Sequence, residues 1–179
     1  MFIGIPLAEA VVEKLETVRA RLYRRGDGLR WAARESWHIT LQFLGETSAE
    51  QYACLVTNLG AVRMEPFVIG LDGLGCFDRA GVLFVTVRLT PALTALQQRV
   101  TTATEPCGFT PEKRAFAPHI TLARGRGHDD ARRLSALATE LRRPPQFSPF
   151  LAEEFVLYQS FPGPGGSRYE RRERFTLNA

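Results

Sequence analysis

The sequence predicts an α+β protein: a bilobal, pseudo-twofold duplicated fold in which two antiparallel sheets line a central cleft and helices pack outside. Three observations carry this expectation. Helical and strand periodicities alternate, in a strand–helix–strand–helix run before residue 65 that recurs after residue 82. A pair of strands at 67–89 and a cluster of strands near the end require antiparallel pairing, which argues against an all-parallel sheet. The string His-Ile-Thr-Leu stands once in each half, at 38–41 and at 119–122. With 179 residues and no low-complexity linker, the chain is expected to form one bilobal domain over 1–179.

Each element has a local reason. Phe2 to Pro6 reads as a strand, and Val11, Leu15, Val18 and Leu22 then recur on one face of a helix. Gly26-Asp27-Gly28 is a turn, and a short extended segment at 29–33 leads to a strand through Trp37 to Leu44. Ser48 and Gln51 form a capping box that opens a second helix, with Tyr52, Leu55, Leu59 and Val62 as its stripe. Strands follow at Phe67–Leu74 and Val82–Leu89, joined by a turn containing Asp78, Ala80 and Gly81. Thr90-Pro91 caps a third helix, striped by Leu93, Leu96, Val100 and Ala103 and ended at Pro106. A strand at 116–123 and a helix at 129–142, carrying Leu134, Leu137 and Leu141, precede the stop at Pro144-Pro145. Strands at 147–150, 155–160 and 169–177 complete the pattern.

Composition narrows the function classes. Apolar residues make up 45% and charged residues 23%, a globular balance, and no apolar run approaches the roughly 18–20 residues of a membrane span. The start of the sequence lacks a basic leader and a small-residue cleavage site, so a cytoplasmic protein is expected. Cys54, Cys76 and Cys107 have no metal-ligand spacing and read as reduced core thiols. The net charge is +4, and 21 of the 23 basic residues are arginines, which admits a polyanionic partner such as nucleic acid. An arginine-rich composition accounts for most of them equally well.

The duplicated string carries the chemistry. Strand residues two apart share a face, so His38 points with Thr40 and His119 with Thr121, while the Ile and Leu of each string face the core. Two such strands related by a pseudo-twofold aim two imidazoles and two hydroxyls into one cleft. That set suits displacement at a phosphodiester: one imidazole accepts a proton, the other donates one, and the hydroxyls hydrogen-bond the non-bridging oxygens. Two core histidines on an internal duplication are the plainer alternative. A metal site is poorly supported, because the two strands bring no cysteine or paired carboxylates, and His128 beside Asp129 and Asp130 reads as a solvated turn residue. No metal or other cofactor is expected.

The segments Trp37-His38-Ile39-Thr40-Leu41-Gln42-Phe43-Leu44-Gly45-Glu46 and Phe116-Ala117-Pro118-His119-Ile120-Thr121-Leu122-Ala123-Arg124 resemble the two-histidine phosphoesterase superfamily. Within it the chain is similar to the RNA 2′,3′-cyclic phosphodiesterases, also called 2′-5′ RNA ligases. The similarity extends to Phe2–Pro6, Arg30-Trp31, Leu157-Tyr158-Gln159-Ser160 and the last strand. The resemblance implies opening of a 2′,3′-cyclic phosphate at an RNA end to a 2′-phosphate, with reversible 2′-5′ joining as a further capacity. It implies His38 as proton donor to the departing 3′ oxygen and His119 as the base that activates water. Thr40 and Thr121 would hold the phosphate. RNA ending in a cyclic phosphate, tRNA fragments included, is then the expected partner, and the chain is expected to act as a monomer. Two segments depart from the family's common form: the approach Arg34-Glu35-Ser36-Trp37 and the hairpin with Phe77-Asp78 and Phe84. Both are expected to lie clear of the repeated motif and to bear on substrate-end preference.

Position five after each histidine differs: Phe43 in one half, Arg124 in the other. Arg124 at a cleft rim would pair with phosphate and Phe43 would stack on a base, the alternatives being a surface arginine and a core phenylalanine. Arg126 is a weaker candidate. Arg168, Arg171, Arg172 and Arg174 read either as an RNA path or as a charge-guarded edge strand. Arg19, Arg21, Arg24 and Arg25 read as a helix's polar face. A non-catalytic RNA- or nucleotide-binding module, or a phosphodiesterase for another cyclic or 2′-5′ linkage, remain the alternative functions.

Overall fold

A computed structural model describes residues 1–125, 128–141, 145–163 and 166–179, and of residues 128, 129 and 131 only the backbone. Arg126 and Pro144 lie outside the described residues, as does the side chain of His128, whose backbone opens a helix. The elements run β1 (Phe2–Pro6), α1 (Glu9–Leu22), β2 (Arg30–Trp31), β3 (His38–Phe43), α2 (Ala49–Leu59), β4 (Phe67–Ile69), β5 (Leu71–Phe77), β6 (Val82–Val87), α3 (Pro91–Thr104), β7 (His119–Arg124), α4 (His128–Glu140), β8 (Phe150–Ala152), β9 (Glu154–Phe161) and β10 (Arg168–Thr176).

Two four-stranded antiparallel sheets dominate, with strand orders β10-β9-β1-β3 and β2-β7-β6-β5. The expected α+β class is what forms. The helix stripes are buried largely as their spacing requires: Val11, Leu15, Val18 and Leu22 on α1, Leu55 and Leu59 on α2, Leu93, Leu96 and Val100 on α3, and Leu134 and Leu137 on α4. The Ser48 hydroxyl accepts from the Gln51 backbone N–H while the Gln51 side chain accepts from that of Ser48, so the capping box is complete. Thr90 likewise accepts from Leu93 N–H at the start of α3.

The sheets do not correspond to the sequence halves. β2 belongs to the first half yet pairs with β7, and β9 and β10 from the second half complete the sheet of β1 and β3. Helices cross as well. α1 follows β1 but joins the other lobe, where Arg19 donates to Ala32 O at 3.1 Å and Arg24 pairs with Glu140 of α4 at 2.8 Å. α3 follows β6 but packs on β3, with α2 against it, while α4 covers β5 and β6. Each lobe is thereby sewn from both halves of the chain.

Three expectations are corrected. The run Phe67–Leu74 is not one strand: it breaks at Gly70, whose carbonyl accepts from Arg88 N–H, and β4 leaves to pair with β8 in a third, two-stranded sheet. The strand expected at 147–150 forms instead at Phe150–Ala152, in register with Phe67–Ile69. The cysteines do not all remain thiols. Cys54 of α2 and Cys107 after α3 lie 5.6 Å apart at Cα and form a disulfide, which leaves Cys76 as the free thiol. The bridge ties α2 to the segment that follows α3, a proximity invisible at a sequence separation of 53.

Among the described residues no helix is long and apolar enough to cross a membrane.

Candidate active site

The two repeated strings occupy equivalent places. β3 and β7 share one burial pattern: the His and Thr partly exposed, Ile buried, the fourth and fifth residues buried, and the sixth exposed. Strand alternation accounts for the first four positions but not for the sixth, which by simple period two would face the core. The difference is a β-bulge in each strand. Against β1, Thr40 pairs with Gly4 and Gln42 with Ile3, which leaves Leu41 as the extra residue. Against β6, Thr121 pairs with Phe84 and Ala123 with Leu83, which leaves Leu122 extra. Each bulge reverses the alternation and turns the next side chains, Phe43 and Arg124, onto the face of the histidines.

The result is a cleft of about 470 Å3 between the sheets, lined by His38, Thr40, Phe43, His119, Thr121 and Arg124. Every residue singled out in the two motifs reaches it. Phe43 is 70% exposed, so the core-packing alternative for it is overturned. Arg30 and Trp31 of β2, Ser36 and Glu35 before β3, and Arg168 and Tyr169 at the start of β10 complete much of the wall. Arg30 pairs across the sheet with Arg124, so two guanidinium groups stand at one rim and the phenyl of Phe43 at the other.

Both imidazoles are oriented in the same way. Nδ1 of His38 lies 2.7 Å from Ser36 O, and Nδ1 of His119 lies 2.8 Å from Ala117 O. A carbonyl accepts only, so Nδ1–H donates and Nε2 is left for chemistry. In the neutral ring, Nε2 of His38 accepts from the Thr40 hydroxyl at 3.0 Å.

Aromatic rings wall each histidine. Phe2 lies 4.5 Å from His38 between ring centroids, Tyr169 meets it edge-on at 5.2 Å, and Phe2 stacks on Tyr158 at 4.9 Å. Phe77 and Phe84 lie 5.0 and 5.3 Å from His119. The two segments expected to stand clear of the motif therefore touch it: Ser36 orients His38, and the 77–84 hairpin packs on His119. Two glycines permit this closeness. A Cβ on Gly4 would sit 2.9 Å from Ile39 O and 3.2 Å from the His38 ring, and one on Gly75 would strike the Phe84 ring at 2.6 Å.

Burial of the rings sets their titration. Desolvation lowers His38 from 6.5 to about 4, opposed by its bond to Ser36 O and assisted by the positive charge of His119 and Arg124. His119 is lowered by the same desolvation, opposed by Ala117 O and assisted by Arg124. Both shifts favour the neutral imidazole in the free protein.

Sequence reasoning missed Phe2, Tyr158, Tyr169, Phe77 and Phe84 as site residues. A signal existed for Tyr158: Phe155–Tyr158 is continuously apolar, the mark of a strand covered on both faces, and all four residues are buried. Of the arginines of β10, Arg168 reaches the cleft and lies over Phe161 at 4.9 Å, while Arg174 is paired with Glu154 at 2.7 Å. Among the described residues no three His, Cys, Asp or Glu side chains converge as a metal set.

The sequence matches the family model of the 2′-5′ RNA ligase superfamily over residues 6–160. The chain belongs to that superfamily. It is 38% identical over 136 residues to an RNA 2′,3′-cyclic phosphodiesterase of Aeropyrum pernix, covering 74% of this chain and 76% of that protein. It is 31% identical to the RNA 2′,3′-cyclic phosphodiesterase of Escherichia coli K12, over 99% of this chain and 96% of the other. The crystal structure of E. coli LigT in apo form superposes with a TM-score of 0.82 at 29% identity, covering 99% of this chain and 96% of that one. The two chains thus share one fold over nearly their whole length.

Proposed function

We propose that this protein hydrolyses RNA terminal 2′,3′-cyclic phosphate to a 2′-phosphate by paired-histidine acid–base catalysis. The observation that carries the reading is the pair of identically oriented imidazoles, each with Nδ1 held by a backbone carbonyl, facing one cleft from two bulged strands. The relatives named above as RNA 2′,3′-cyclic phosphodiesterases support the substrate.

In this mechanism the cyclic phosphate monoanion enters between the imidazoles, and its charge favours the protonated form of His38. Water attacks phosphorus as His119 Nε2 takes its proton. The bond from phosphorus to the 3′ oxygen breaks, and His38 Nε2–H protonates that oxygen. The products are a 2′-phosphate and a free 3′-hydroxyl, with His38 neutral and His119 protonated. Exchange with solvent restores the starting state. The hydroxyls of Thr40 and Thr121 donate to the non-bridging oxygens as charge builds there. Arg124 pairs with the phosphate and Phe43 stacks on the terminal base. A 5′-hydroxyl in place of water would form a 2′-5′ phosphodiester by the same proton transfers, which is the ligation half of the proposal.

The test is incubation with a short RNA ending in 2′,3′-cyclic phosphate, separating 2′- from 3′-phosphate products. A 2′-phosphate that fails to form with His38→Ala and with His119→Ala, each folded, is the expected result. Losses of at least about two to four orders of magnitude are expected from removing a general acid or base. Near-wild-type turnover by either variant would sink the mechanism, and binding without turnover would favour a recognition module.

A further inference from the structure

A second hollow, of about 550 Å3, lies outside the cleft, lined by Glu16, Arg19, Ala20 and Tyr23 of α1 and by Trp31. Trp31 also lines the histidine cleft, so the two concavities share one wall. The indole is fixed from behind. Asp27, only 7% exposed, accepts from Trp31 Nε1–H at 2.8 Å, from Leu29 N–H at 2.9 Å and from Arg24 N–H at 3.3 Å. Burying a carboxylate is costly unless it is fully hydrogen-bonded, and here its bonds lock the turn that carries the indole. Nothing in the proposed hydrolysis uses this arrangement.

The other face of the hollow is an aromatic left in solvent. Tyr23, at the end of α1, is 49% exposed and meets Trp31 edge-on at 6.0 Å. The charge balance favours an anion: Glu16 is tied to Arg34, while the Arg19 guanidinium donates to a neutral carbonyl, Ala32 O, at 3.1 Å and lies over the Trp37 ring at 5.7 Å, with no carboxylate partner among the described residues. Arg30, beside Trp31, is exposed and lines the cleft next to Arg124, at the border between the two concavities. A rigid aromatic platform with cations at its margin, continuous with a phosphate-handling cleft, has the chemistry of a single-stranded nucleic acid subsite.

We propose that this hollow binds the nucleotide adjoining the RNA terminus, its base stacked on the Tyr23 ring beside Trp31 and the linking phosphate passing Arg30. The substrate class is then single-stranded RNA of at least two nucleotides rather than a cyclic mononucleotide. This rests on the cyclic-phosphate reading of the cleft.

The experiment compares a 2′,3′-cyclic mononucleotide with a short oligoribonucleotide of the same terminal base and cyclic end. Wild-type protein should prefer the oligomer in kcat/KM by about 5- to 150-fold, the range of one stacked base. Tyr23→Ala should remove that preference through KM with kcat held, Tyr23→Phe should retain it, and the mononucleotide should be turned over equally by all three. Equal treatment of both substrates by wild type, or an unchanged KM for the oligomer in Tyr23→Ala, would overturn the proposal. Failure of wild type to hydrolyse either substrate would overturn the reading of the cleft instead. Fluorescence anisotropy with the same oligomer ending in 2′-phosphate then decides the hollow by itself. Binding weakened by Tyr23→Ala and kept by Tyr23→Phe upholds the proposal, and equal binding by all three refutes it.

Discussion

Acidification should draw stability out of this protein through one ring, His38. Desolvation by the surrounding aromatic wall lowers it from 6.5 to about 4. A depressed histidine means that the unfolded chain binds a proton more readily than the folded one. Its contribution is therefore complete above the unfolded value of about 6.5 and is lost as pH falls toward the folded value. At about 1.4 kcal/mol per unit, the interval from 6.5 to about 4 amounts to roughly 3 kcal/mol. The matched perturbation is His38→Asn, whose amide N–H takes the place of Nδ1–H as the donor to Ser36 O but cannot titrate. Urea unfolding of both proteins at a series of pH values isolates the ring, because the other titrations largely cancel in the difference. The wild type should lose about 3 kcal/mol relative to the variant between pH ~6.5 and ~4, most steeply midway between the two values. A difference that stays flat across this range would refute the reasoning, as would a His38 ring that titrates by NMR near its ordinary value.

The same shifts bear on catalysis: with both rings depressed and one proton required between them, kcat/KM should follow a bell centred below pH ~6.5, and an alkaline optimum would contradict it. Phe43→Ala should raise KM for RNA substrates while changing stability by less than about 0.5 kcal/mol, since the ring is 70% exposed; a cost in urea unfolding near that of a core phenylalanine would argue against the rim position. Replacing Cys54 and Cys107 together by alanine, or reducing them, should lower unfolding stability by up to about 4 kcal/mol, the chain-entropy value for a separation of 53, with hydrolysis retained at moderate temperature. An unchanged urea midpoint under reductant would show that the bridge does not constrain the unfolded chain.

Much of the fold was legible because its signals are local. The α1 stripe, the Ser48–Gln51 box and the Thr90-Pro91 start each involve residues within one or two helical turns, and each appears where its spacing put it. The repeated His-Ile-Thr-Leu strings were legible for the same reason: alternation over three residues suffices to align each histidine with its threonine. Phe67–Leu74 misled because apolar content marks strand character without saying which partner each part will take, and Gly70 divides it between two sheets.

The sequence by itself determined the element types, the two pairs of site residues and the family they resemble. Only the tertiary structure decided which way position five after each histidine points, since the bulges at Leu41 and Leu122 arise from register against β1 and β6. It also decided that α1 and α3 exchange lobes, that Cys54 meets Cys107, and that Phe2, Tyr158, Phe77 and Phe84 close around the imidazoles. The physical reason is common to all of these. Periodicity and capping are energies of neighbours along the chain, whereas register, bridging and desolvation are energies of neighbours in space, which the partner strand or helix supplies.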